Sequence, residues 1–505
     1  MIGTMETRNS VSAAACPPLP PGEGLGVRVL EPTQPWEGEA PAEPHAREQG
    51  SPLCAAQQEL RPPECEIDTS VNGRALPCFA RFLLLLLALT TPSFAQSLRR
   101  HDDRPALDIK KAQAAGIERY TSQRLILLTD IEPDKARKLV TLIDQVYATW
   151  EQQLGPLPAA RDKKEFQITG YLMRDEAKFE RAGLVRPNLK ILHGQHAGYE
   201  FWMKDADYDY YREHLLLHEA SHCVMQCLDD GLKPVWYLEG MAEFFGSHEP
   251  TQSGLRFGII PASRQAAPGF GRIEMIREEC AAGRALSAAE IIQLGPVEFS
   301  ESRTTPYAWS WAFCTFLARH PRLSADFLAV CQIWETEPFQ KAFEAFWNKH
   351  EQLISSEWEI YRDSLCYGWD LERGASVLEA PKGKLQIEAG GGWQSTGLKV
   401  TPGQKLAITA TGRVVVGKGP KPWESEPQGI SIRYSEGRPI GRLLGAVLRD
   451  EPAPEGTTRH WEFFDIGPSA MIEPQSAGTL FLRVNDRWNE LGDNRGHFEV
   501  QVAPQ

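Results

Sequence analysis

No stretch of this chain is apolar for long enough to cross a bilayer, and none is basic enough to follow a phosphate backbone. The apolar run Phe82 to Leu89 spans eight residues, where a spanning helix needs about 20, so no transmembrane anchor is expected. Acidic residues outnumber basic ones, 67 against 54, for a net charge of −13 over 505 residues. With no basic, aromatic stretch to offset that balance, nothing points to a nucleic-acid partner. The first 73 residues lack apolar periodicity and are rich in Pro, Gly, Glu and Ala, a composition that cannot build a core and reads as disorder.

Residues 74–95 read as a signal peptide. Arg74 and Arg81 form its positive region, Phe82 to Leu89 its apolar region, and Ser93-Phe94-Ala95 before Gln96 its cleavage site. On this reading translation starts near Val71, residues 1–70 are a mispredicted extension within the disordered 1–73 stretch, and the mature protein is secreted or periplasmic. The alternative is a genuine tail followed by a short buried helix. Residues 96–117 read as a linker.

Cysteine is sparse. Of ten, Cys16, Cys54, Cys65 and Cys78 precede the cleavage site, leaving Cys223, Cys227, Cys280, Cys314, Cys331 and Cys366. An even count outside the cytoplasm permits up to three disulfides, whose connectivity is not readable.

Histidine is also rare, 12 in all, yet two stand four apart in HEASH, His218 to His222. On a helix that spacing puts both imidazoles on one face, where they reach one tetrahedral ion at about 2.0 to 2.1 Å. Glu219, directly after the first histidine, is placed to take a proton from a water at the metal rather than to bind it. Glu239 lies 17 residues after His222, far enough for a turn and a second helix to return with a third ligand. Glu243, one turn further, could orient a ligand histidine through its free ring nitrogen. The bland alternative is an amphipathic helix with surface histidines. Against it, Tyr211 to Cys227 and Pro234 to Gly246 are strongly apolar helical runs, in which buried His and Glu require partners.

At these residues the chain resembles the gluzincin metallopeptidases of the peptidase MA-like group, with HExxH followed by W-x-x-E-G-x-A-E-F in WYLEGMAEFF. The resemblance implies zinc held by His218, His222 and Glu239, with Glu219 catalytic and Glu243 behind the ligands. The connection is shorter than in better-known members. Upstream, strand Arg124 to Thr129, helix Asp134 to Leu154, strand Phe166 to Met173 and an edge strand Gly198 to Met203 follow the order of the family's N-terminal lobe, whose edge strand would pair with an extended peptide. Downstream, Ser287 to Trp369 reads as mostly helical. There Tyr307 resembles the family position that stabilises an oxyanion, although a Tyr opening an aromatic helix is also an ordinary packing residue. The expected domain, an α+β zincin-like peptidase, covers residues 118–373.

From residue 376 to 505 short alternating strands take over, beginning at KLQIEA (Lys384) and separated by turns at Pro402-Gly403, Asn485-Asp486 and Gly492-Asp493. An all-β sandwich of seven or eight strands is expected. Asp486, Asp493 and Asn494 offer hard oxygens, and the carbonyls of Glu490 and Val416 could complete a calcium shell. The segment Leu482 to Val502 resembles the last strands and calcium loop of PA-IL-like galactose-binding lectins. That resemblance assigns the same calcium positions, has Asp486, Asp493 and Asn494 touch a sugar as well, and gives Gln428 a sugar contact. Ser425, bulky Arg487, Trp423 and Asp493 depart from the lectin pattern.

The combined expectation is a secreted zinc metallopeptidase that hydrolyses peptide or protein substrates and is held near galactose-type glycans by a Ca2+-dependent lectin-like domain. The other class is an extracellular carbohydrate-binding protein whose zinc domain is structural or inactive. The two differ in whether a fourth protein side chain closes the metal site.

Overall fold

The computed structural model describes residue 102 and residues 104–505, apart from 159–164, 188, 190, 229–232, 253, 301–303, 418–420 and 452–458. The expected tail 1–73, the signal peptide 74–95 and residues 96–101 lie outside the described residues. Those that follow form a mixed α and β region and then a β-rich region.

The first region is built on a five-stranded sheet of β1 (Glu118–Thr121), β2 (Leu125–Thr129), β3 (Ile168–Met173), β4 (Gly194–Ala197) and β5 (Glu200–Lys204), in the order β1-β2-β3-β5-β4. Strands β2, β3 and β5 run parallel, and the two outer strands are antiparallel to their neighbours. All six residues of β3 are buried, as a parallel strand covered on both faces requires. Ile168 and Leu172 point to the main core and Tyr171 and Met173 to a second cluster on the other face.

The helix Pro133–Leu154 packs on the main-core side. Its buried Leu139, Leu142, Ile143, Val146 and Trp150 recur at helical spacing, and it ends at Gly155, whose φ is 87°. The opposite face is covered by the helix Glu176–Ala182 and by residues 109–117. The described part of the expected linker is thus packed structure: the helix Ile109–Ala114, capped by Asp108, buries Ala112, and Ile117 is buried beside it.

The sheet departs from expectation at its edge. Residues 200–203 of the expected edge strand pair on both sides, between β3 and β4. A turn at Gly198, whose φ is 64°, folds residues 194–197 back onto them, so β4 is the terminal strand.

Helices Asp209–Leu228 and Val235–Gly246 follow, surrounded by Arg272–Ala281, Thr305–Arg319, Ser324–Cys331 and the 29-residue Thr336–Ser364. Helix Val235–Gly246 crosses Thr305–Arg319 at Gly240. There a Cβ would stand 2.5 Å from Cys314 Sγ and 2.6 Å from the Ser310 carbonyl oxygen, so the Gly after Glu239 is what lets the helix backbones meet. Trp236, Tyr237, Trp309, Trp311, Phe313 and Trp358 fill the space around this crossing. The six cysteines of this region are not joined in disulfides, so none of the permitted bridges is formed among the described residues. Burial pushes the thiols of Cys223 and Cys314 well up, leaving them as small apolar core groups.

The β-rich region contains eleven strands, more than expected. Four were not legible: Arg438–Arg449, whose apolar positions form a run rather than an alternation, and the short Glu424–Ser425, Trp461–Asp465 and Ser469–Ile472. A four-stranded and a five-stranded antiparallel sheet share one core. Ile387, Leu406, Ile408, Phe498 and Val500 enter it from one sheet, and Leu443, Val447, Leu480, Leu482 and Val484 from the other. This is sandwich packing.

The larger sheet also has a buried outer face. Leu444, Ala446, Trp461 and Phe481 belong to the same apolar cluster as Trp358 and Tyr361 of the long helix. The Trp461 indole N–H donates to the Ser356 carbonyl at 2.9 Å, and Trp488 stacks on Trp369 at 5.0 Å. The two regions are therefore fused through one core.

Candidate metal centre

Helix Asp209–Leu228 buries nearly its whole length, which forces the histidine face inward, against helix Val235–Gly246. His222 Nε2 lies 3.1 Å from His218 Nε2 and 3.1 Å from Glu239 Oε2, and His218 Nε2 lies 3.4 Å from the same oxygen. A tetrahedral ion with bonds of about 2.0 to 2.1 Å sets its donors about 3.3 Å apart. The three atoms already stand at that spacing, and the group could hold a metal ion. Without a cation or a proton between them, the two imidazole nitrogens would face each other lone pair to lone pair.

Burial opposes charge on Glu239, yet the imidazoles of His222 and His218 overcome it and hold the carboxyl far below its usual range. His218 is driven up by Glu239 and Glu243 against burial, whereas burial drives His222 down.

Glu243 sits 3.4 Å from His218 Nδ1, an ion-pair contact rather than a hydrogen bond, and 3.2 Å from His214 Nε2. Arg272 grips the carboxylate from the far side, Nε to Oε2 at 3.0 Å and Nη2 to Oε1 at 2.9 Å. His214, His218 and Glu243 form a second group close enough for a metal. Arg272 occupies both oxygens of that carboxylate, so the set with Glu239 is the better receptor for a cation.

Glu219 is buried and belongs to neither group. Its Oε2 lies 3.4 Å from His196 Nδ1, and the His196 ring stacks on His222 at 4.2 Å between centroids, 18° from parallel. Tyr307 stands near the opening of helix Thr305–Arg319, its ring 6.3 Å from that of His218 and edge-on to Phe299 at 5.0 Å. Burial, then the carboxylates of Glu239, Glu243 and Glu219, push its hydroxyl up, so it stays protonated and able to donate.

The expected residues His218, Glu219, His222, Glu239, Glu243 and Tyr307 thus come together. Arg272, His214 and His196 join them without having been anticipated. His214 stands one turn before His218 on the same face, a spacing that was readable. Arg272 in GFGRIE and His196 in GQHAG carry no local signal, because only the tertiary fold brings them in.

In the second region, the 3-10 turn Leu491–Asp493 and the bridge between Val415 and Arg495 gather Asp486, Asp493, Asn494, Glu490 and the strand Val414–Val415 with the following Val416 around one loop. Asp486 and Asn494 are buried. Burial pushes the Asp486 carboxyl up, opposed by the Arg487 backbone N–H that donates to Oδ1 at 2.8 Å. Asn494 Nδ2 donates to the Ala389 carbonyl at 3.1 Å, leaving Oδ1 buried without a hydrogen-bond partner. A desolvated carboxylate beside an unsatisfied amide oxygen is a donor set for a hard cation. Gln428 is exposed; it pairs with Arg442, whose carbonyl in turn accepts the Asn485 N–H.

No protein-family model matches the chain, and no curated protein does either. Among solved structures, an "EclA N-terminal domain; PllA-like lectin" is similar at 24% identity and a TM-score of 0.19, over 24% of this chain and 95% of that one. No helix among the described residues is long and apolar enough to cross a membrane.

Proposed function

We propose that the protein is an exported zinc metallopeptidase of gluzincin type that carries a calcium-dependent, lectin-like domain. The observation that carries this reading is the convergence of His218 Nε2, His222 Nε2 and Glu239 Oε2 at 3.1 to 3.4 Å, with Glu219 beside the group and outside it. A structural zinc site closes its fourth position with protein and has no use for a base. Here the group contains three side chains among the described residues.

Zinc in this site would polarise the scissile carbonyl and make the attacking water acidic near neutral pH. Glu219 takes the proton of that water and returns it to the leaving amine. Tyr307 offers its hydroxyl to the carbonyl oxygen as charge develops there. The terminal strand β4 presents an open backbone edge to which an extended peptide adds as a further strand, placing the bond to be cut beside Glu219. Glu243, pinned by Arg272, keeps the His218 ring aimed.

In the second domain Asp486, Asp493 and Asn494, with the carbonyls of Glu490 and Val416, would hold Ca2+ and through it the hydroxyls of a galactose-type sugar, with Gln428 at the rim. Because the domains share a core, a bound glycan holds the cleft in one orientation as well as nearby. That raises the encounter rate with glycosylated substrate without new contacts at the zinc.

The test is cleavage of a mixed peptide library by metal-loaded protein and by Glu219→Gln, each with and without chelator. One zinc per chain with chelator-sensitive cleavage lowered about 100- to 10,000-fold by the substitution supports the reading. Zinc without cleavage moves the function to the second domain.

A further inference from the structure

The catalytic carboxylate proposed above is not left to orient itself. Gly194 and His196 are two apart on β4 and so face the same side of the strand, which is the side toward helix Asp209–Leu228. At Gly194 the strand lies directly on Glu219: a Cβ there would stand 2.2 Å from Oε1, 2.6 Å from Cδ and 2.8 Å from Cγ. At His196 the strand projects an imidazole whose plane is set by its stack on His222. That orientation brings Nδ1 to 3.4 Å from Glu219 Oε2, a buried oxygen with no hydrogen-bond partner among the described residues. The side chain of His196 keeps 25% of its surface exposed, so its ring borders the open side of the centre. It is not a member of either metal-holding group.

We propose that His196 is a positioning residue that holds the Glu219 carboxylate through Oε2, with the backbone at Gly194 closing the other side. This rests on the peptidase reading for what Glu219 does, though the contact itself does not. A buried carboxylate oxygen left without a donor loses its hydration for no return, and His196 Nδ1, 3.4 Å away, is the nitrogen that a small closure brings into hydrogen-bond range of it. Because β4 is also the strand to which a peptide would add, substrate binding and base alignment act through one element.

The test uses the full-length, metal-loaded protein as wild type, His196→Ala, His196→Asn, Glu219→Gln and the Glu219→Gln/His196→Ala double variant. Metal content and the thermal midpoint are measured first and are expected to be unchanged in His196→Ala. Peptide cleavage should then lose about 10- to 100-fold in kcat with KM nearly constant, the size of effect a misplaced reacting group produces. His196→Asn, which keeps an N–H near the place of Nδ1, should recover most of it. The independent readout is calorimetric binding of acetohydroxamate, a metal-directed ligand whose hydroxyl needs a carboxylate acceptor. His196→Ala should weaken it, and the same substitution should have no further effect once Glu219 is Gln.

Wild-type kcat and wild-type acetohydroxamate affinity in His196→Ala would overturn the inference, as would an equal loss in the Glu219→Gln background. A wild type that binds acetohydroxamate in a His196-dependent way but cleaves nothing sinks the peptidase reading and leaves the contact standing. Absence of acetohydroxamate binding by the wild type sinks both.

Discussion

Arg272 clamps Glu243 with two parallel N–H donors, at 3.0 and 2.9 Å, inside a core where their side chains are 7% and 2% exposed. The carboxylate so fixed is the one that faces His218 and His214. A buried pair of this kind does little for stability compared with an apolar pair, but breaking it leaves a buried charge alone. Arg272→Met should therefore lower stability by about 3 to 5 kcal/mol in chemical denaturation. It should also weaken metal affinity about 10- to 100-fold in a chelator competition, because the orientation of His218 loosens. Unaltered metal affinity in a folded Arg272→Met protein would show that Glu243 does not act on the ligand.

Gly194→Ala tests the close approach of β4 to the centre. The added methyl cannot coexist with the present Glu219 side chain, three of whose atoms lie within 2.8 Å of it. The carboxylate must swing aside, since it is the movable partner. Cleavage should fall by about 100-fold while metal content and unfolding midpoint stay near wild type. A fully active Gly194→Ala protein would mean that Glu219 works from another rotamer.

The loop around Asp486 should respond to calcium. Raising free Ca2+ to 100 times its dissociation constant is expected to stabilise the folded protein by about 2.7 kcal/mol. Asp486→Ala should abolish that gain, and EGTA should reverse it without touching cleavage. Scanning calorimetry across a Ca2+ series decides this, and a flat series with no heat of binding removes calcium from the account.

Glu359 predicts a pH dependence of the interface between the domains. Burial pushes its carboxyl from the ordinary 4.5 up to about 7, against the His460 backbone N–H that donates to it at 2.6 Å. Between those two values the folded protein keeps a proton that the unfolded chain has lost. Stability is thus full below pH 4.5 and falls as pH rises through about 7, by about 3 kcal/mol from this group. Glu359→Gln, which retains an acceptor for His460, should be more stable than wild type at pH 8 and equal to it at pH 4. Denaturation midpoints across that range would contradict this if the two proteins stayed parallel.

Much of the candidate centre was legible in the chain because helical spacing is a local property. His218 and His222 share a face by arithmetic, and Glu239 and Glu243 do the same one helix later. The helix Pro133–Leu154 was readable for the same reason, since its apolar residues recur at helical period, and β2 and β3 were readable as short continuous apolar runs. The side-chain candidates for calcium lie within nine positions of one another, from Asp486 to Asn494, so their convergence needed only a turn, whereas Val416 reaches them through the long-range bridge between Val415 and Arg495.

What the tertiary structure alone decided is whatever depends on chain returning from far away. Residues 200–203 had the pattern of a strand, but nothing local said that 194–197 would fold back outside them and become the edge. His196 and Arg272 reach the centre by that kind of return, one on a reversed strand and one at the start of a later helix. The fused core of the two domains is a further case: Trp461 and Phe481 alternate as outward residues of a sandwich, which by period alone belong to solvent. They are buried because the long helix Thr336–Ser364 offers an apolar face to the same sheet, a pairing set by surface complementarity over 100 residues of separation and by no repeat in the sequence.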